Sequence, residues 1–146
     1  MDTTMTAIKA IEHIKEVAKT NSNRDASLKT RQVTSSINCF RQGDLYFFRM
    51  PNNHPCGEQV ERKQLAEGES LGARHVLKGN FKIFKGTTAP PQVSELHARI
   101  GLGFCFDVCP GDICVHPEHD NYFFETAGRW QVLHQVDLRT LQKVRD

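Results

Sequence analysis

The chain has 146 residues, 38% of them apolar and 25% charged, and 19 Lys and Arg against 17 Asp and Glu give a formal net charge of +2. That length suits one ordinary domain that buries its own core without staples, and the composition is that of a globular chain, not a fibrous or disordered one. So mild a charge permits contact with nucleic acid without arguing for it, and no apolar run approaches the roughly 20 residues that span a bilayer.

Residues 4–18, TMTAIKAIEHIKEVA, put Ile8, Ile11, Ile14 and Val17 on one stripe, with Lys and Glu filling the rest. The spacing predicts an amphipathic helix within residues 1–18, with Thr4 or Thr6 as its cap. So short a helix is marginal alone, so its isoleucine stripe is expected to dock on the rest of the chain, on a protein partner or on a second copy in a homo-oligomer. Residues 19–36 are polar and aperiodic, which predicts a linker. A β domain is expected over residues 37–146.

Within it, Asn38 to Arg41 and Leu45 to Met50 read as a strand broken at Gly43. A loop over Pro51 to Gly57 leads to strands at Gln59 to Leu65, His75 to Leu77 and Phe81 to Phe84, and TTAPPQ at 87–92 is a proline-stiffened loop. The strongest pattern is ELHARIGLGFCFDV. Its even positions, Leu96 to Val108, are all apolar, and its odd positions are polar, small or thiol-bearing. Alternation with a period of two predicts a strand with one buried face. Cys109-Pro110-Gly111-Asp112 then signals a turn, so a hairpin is expected in which Val108 meets Ile113, Asp107 meets Cys114, and Cys105 meets His116. Pro-Gly suits a type II turn, whereas two-residue hairpins prefer the primed types. Tyr122 to Glu125 and Trp130 to Val136 predict a second hairpin, and Asp137 to Val144 a short C-terminal helix. Several short strands joined by turns predict a mainly β fold, a small β-barrel or a two-layer sandwich, with one helix at each end.

RQGD at 41–44, AEGESLGARH at 66–75, HPEH at 116–119 and the spacing of Gly128, Trp130, Val132 and Gln135 resemble, over about residues 41–146, a group of small bacterial all-β proteins with the pattern RQGD, GExxGHxH, HxEH, GxYxVxxQ. The resemblance implies an all-β fold and a bacterial or phage origin, and carries no activity. Where the pattern has its first histidine this chain has Ala73, so a metal site in the group would lack a ligand here unless a thiol replaced it.

Five cysteines are an odd number, and MDTTMTAIKA lacks the apolar core of a secretion signal. Reduced thiols and a cytoplasmic location are therefore expected. Imidazole and thiolate are zinc ligands, so His116 and His119 with His75, Glu118, Cys105 or Cys114 form a candidate site for zinc or another divalent transition metal. The H-x-E-H spacing is not that of a helical zinc motif. A thiol nucleophile, Cys114 or Cys105, activated by His116 is a second candidate. Lys78, Lys82 and Lys85 around Phe81 and Phe84, with Arg41 near Tyr46, form a candidate nucleic-acid surface. The leading expectation is a non-enzymatic binding or interaction module, an accessory protein of a bacterial or phage system. The alternatives are a metal-dependent enzyme with a cupin-like His/Cys pocket and a nucleic-acid-binding β domain. No membrane contact is expected.

Overall fold

The structure, a computed structural model, describes residues 27–66 and 74–144. The helix expected within residues 1–18, and with it any oligomer or partner contact through its isoleucine stripe, lies outside the described residues. In chain order the elements are β1 (Thr30–Val33), β2 (Cys39–Gln42), β3 (Leu45–Met50), β4 (Cys56–Val60), β5 (Val76–Lys78), β6 (Lys82–Gly86), α1 (Glu95–Gly101), β7 (Leu102–Val108), β8 (Ile113–His116), β9 (His119–Phe124), β10 (Gly128–His134), and a small pair, β11 (Val136–Asp137) with β12 (Gln142–Lys143).

The fold is mainly β. One sheet has four strands in the order β1-β9-β8-β5, and the other has six, β2-β3-β10-β7-β6-β4. Neither closes on itself, so the closed barrel does not form. The two sheets share one core, in which Val33, Leu77, Cys114 and Phe124 of the smaller sheet meet Leu45, Phe47, Ile83, Phe106, Val108, Trp130 and Val132 of the larger. Phe40 stacks at 4.5 Å on Phe47 and at 4.3 Å on Tyr122, joining the layers at one edge.

Further expectations need correction. The strand expected from Leu96 begins only at Leu102. Residues Glu95–Gly101 are helical because Ser94 caps them, its hydroxyl accepting from His97 N at 3.2 Å. Leu96 is 37% exposed, so the alternation there marks no buried face.

Neither expected hairpin forms. β7 pairs with β6 and β10, whereas β8 pairs with β5 and β9, so Cys109 to Asp112 carries the chain from one sheet to the other. Asp112 N donates to Cys109 O at 3.1 Å and Gly111 has a φ of 96°, the signature of a type II turn, whose twist splays flanking strands. The buried Asp112 carboxylate fixes this corner, accepting from Cys109 N and Asn80 N, each at 2.8 Å. β9 and β10 likewise lie in different sheets. The hairpins that do form among the described residues are β2–β3, turning at Gly43 with a φ of 60°, β8–β9, turning at Pro117-Glu118, and the short β11–β12 pair.

The C-terminal helix is absent. Asp137 takes Arg139 N on its carboxylate at 2.9 Å and Leu141 N on its carbonyl at 2.8 Å, making a turn between β11 and β12. Leu138 and Leu141 stay 62% and 54% exposed, so no apolar face holds a helix here. Finally, the expected linker contains β1, which runs parallel to β9 with Val33 buried. Asp120 ties it down, accepting from Lys29 N at 2.9 Å and from Arg31 Nε at 2.6 Å.

Candidate functional site: a buried imidazole row and three basic clefts

The segments RQGD, ARH and HPEH meet in space. Gln42 ends β2, Asp44 sits at the hairpin tip, His75 enters β5, and His116 and His119 face each other across the β8–β9 turn. The rings of His75 and His116 lie 4.4 Å apart, and those of His116 and His119 also 4.4 Å apart. The row thus runs from the buried Asp44 and His75, through buried His116, to half-exposed His119.

The hydrogen bonds settle where the protons are. Gln42 Nε2 points at two carbonyl oxygens, Asp120 O at 2.8 Å and Cys114 O at 3.3 Å. Its Oε1 must therefore face His75 Nδ1 at 2.9 Å and Cys114 Sγ at 3.1 Å, and both donate to it. With its Nδ1 proton so assigned, His75 presents Nε2 to the Asp44 carboxylate at 3.0 Å. One proton must lie between them, on either partner, because two facing lone pairs would repel. His116 Nδ1 accepts from Glu118 N at 3.0 Å, so in the neutral ring the proton sits on Nε2.

Both ring nitrogens of His75 and Nδ1 of His116 are thus engaged by protein partners. Among the described residues no group of three or more His, Cys, Asp or Glu side chains is placed to hold an ion. The expected ligands also scatter. Cys105 lies in β7 opposite Phe84 and Gln131, away from the row, and Glu118 is exposed and contributes only its backbone. The row instead ties β2 and the β2–β3 turn to β5, β8 and β9, an inter-sheet pin in which Gln42 alone makes four hydrogen bonds.

None of the five cysteines forms a disulfide. Burial, aided by neighbouring Cys56, pushes the Cys105 thiol up to about 12, which disfavours the thiolate that a nucleophile needs. Nearby, Arg129 forms a two-pronged pair with Asp107 at 2.7 and 3.0 Å and lies over the Phe84 ring at 5.2 Å. Phe84 is thus covered by a guanidinium.

Comparison of the chain with protein-family models, curated proteins and solved structures finds no match. Function has to be argued from shape and charge.

Three clefts adjoin along the β4–β6 side. Two, each of about 400 Å³, share Lys63 and Phe81: one adds Arg62, Lys82 and Glu61, the other Lys78, Asn80 and Val76. Phe81 is half-buried between them, where the chain crosses from β5 to β6. The third, of about 280 Å³, is lined by Lys85, Gly86, Leu102, Gly103, Phe104, His134 and Lys143. Arg62 donates to Gln64 O at 2.6 Å and lies over the Phe104 ring at 4.5 Å, so it stands between the first and third clefts. Of the residues expected on a nucleic-acid surface, Lys78, Phe81 and Lys82 come together and Lys85 lies in the third cleft. Arg41 does not join them: it donates to Gly43 O at 2.6 Å and to Gln135 Oε1 at 2.9 Å. The sequence reasoning passed over Arg62 and Lys63, visible in VERKQL only as strand alternation. It also passed over His134 and Lys143, which carry no local signal because the fold alone brings them beside β6.

Proposed function

We propose that the chain is a non-enzymatic binding module whose ligand is single-stranded nucleic acid, held in the two clefts flanking Phe81. One observation carries this reading. Among the described residues, four cations, Arg62, Lys63, Lys78 and Lys82, and one carboxylate, Glu61, line the clefts beside Phe81, which is partly buried and packs its apolar side against the core. Cations that track a backbone, beside a ring on which a base can stack, form the usual sequence-tolerant single-strand site.

The test is fluorescence anisotropy of the full chain with labelled single-stranded RNA and DNA across a salt series. Four phosphate contacts at about 0.7 released ions each give a log–log slope near −3. Phe81→Leu, which keeps the apolar packing but removes the stacking ring, should weaken binding by about 1–3 kcal/mol. Lys82→Ala should flatten the salt slope by about 0.7. Absence of saturable binding at low salt, or binding indifferent to both substitutions, overturns the assignment.

A further inference from the structure

We propose that the third cleft is a separate site for a phosphate monoester that carries an apolar or ring-shaped body. Lys85 and Lys143, with His134 beside them, line it, and no carboxylate is among its described lining residues. A doubly negative phosphate matches two ammonium groups better than a carboxylate does. The same cleft is lined by Leu102 and Phe104, which supply apolar contact for the rest of the ligand.

The floor is shaped for close approach. At Gly86 a Cβ would lie 1.9 Å from Gly103 O, so only glycine fits where β6 meets β7, and the cleft there is floored by backbone. Lys85 pairs with Glu58 at 2.7 Å, but both side chains are more than half exposed. Such a surface pair has little net worth and can yield its cation to a bound dianion. Lys143 stands on β12, so the β11–β12 turn that replaces the expected C-terminal helix supplies half of the charge.

The ligand can be a free small molecule or the phosphorylated end of a strand lying in the neighbouring clefts, and the experiment separates these sources. Amide NMR shifts of the full chain are followed at pH 7.5 during titration with phenyl phosphate, with inorganic phosphate, and with a decanucleotide bearing either a 5′-phosphate or a 5′-hydroxyl. Phenyl phosphate should shift Leu102, Gly103 and Lys143 saturably and bind at least fivefold more tightly than inorganic phosphate. Lys143→Ala, a change on an exposed two-residue strand, should weaken it at least fivefold, and Lys82→Ala should leave it unchanged. A 5′-phosphate that tightens oligonucleotide binding in the parent but not in Lys143→Ala assigns the strand end, and equal binding of both oligonucleotides assigns a free small molecule. Absence of saturable shifts at millimolar phenyl phosphate, or affinity untouched by Lys143→Ala, overturns the site even if the clefts around Phe81 bind strands. Inorganic phosphate binding as tightly as phenyl phosphate overturns the apolar half of the proposal.

Discussion

Replacing Asp44 by alanine tests the proton placement directly. Asp44 is buried and accepts or shares the proton of His75 Nε2 at 3.0 Å, while His75 itself is fully buried. If His75 loses that proton on truncation, the cost is a buried acceptor without a donor, about 1–3 kcal/mol. If it keeps the proton, a charge is stranded in the core and the cost rises to about 3–5 kcal/mol. The expected loss is therefore about 3 kcal/mol, or a fall in Tm of roughly 6–12 °C at about 2–4 °C per kcal/mol for a chain of this size. Asp44→Asn should cost less than half as much, since an amide can still donate to a neutral Nε2. Urea and thermal unfolding give the magnitudes, and nitrogen-detected NMR of the histidine rings should show a protonated, slowly exchanging His75 Nδ1 in all three proteins, held by Gln42 Oε1. A loss below about 0.5 kcal/mol in the alanine variant, an asparagine variant as damaged as the alanine one, or a bare Nδ1 would each refute the reasoning.

Thiol labelling at pH 8 should modify exposed Cys109 and Cys39 within the time in which Cys105 stays untouched, as read by mass spectrometry of digests; rapid Cys105 labelling in folded protein would show its burial to be wrong. Because folding raises this thiol from 9.0 to about 12, the folded state holds the proton longer than the unfolded one. Cys105 therefore withdraws stability as pH rises from about 9 toward 12, and replacing it with alanine should flatten that part of a pH–stability curve. Leu141 has a φ of 56° and is 54% exposed, so Leu141→Gly should remove backbone strain without losing a core contact and raise stability by up to about 1 kcal/mol in urea unfolding; a loss of 1 kcal/mol would contradict it.

The existence of most strands could be read from the sequence, but their partners could not. The run from Leu102 to Val108 has the period of two and is a strand, whereas the same period at Leu96 to Ile100 lost to a serine cap, a local competitor that alternation cannot weigh. Pro110-Gly111 showed its turn type openly. The consequence, that the chain leaves the sheet there, follows only once twist is considered. Gln42, Asp44, His75, His116 and His119 were visible as motifs, and the fold brings them together. Their protonation depends on which way Gln42 points, which Cys114 O and Asp120 O decide from residues 72 and 78 positions away. Phe81 and its lysines were legible because they are neighbours in sequence; Lys143 was not, because it reaches β6 only through tertiary structure.

The parallel pairing of β1 with β9 constrains how the chain is made. Thr30 lies opposite Asn121, 91 positions later. At synthesis rates of about 5–20 residues per second, the first strand waits roughly 5–18 s for its neighbour to leave the ribosome. During that interval Val33 has no neighbouring strand to pair with. The β1–β9 edge of the smaller sheet thus cannot be set in place until late in synthesis, and a nascent chain stopped before residue 121 should lack that pairing.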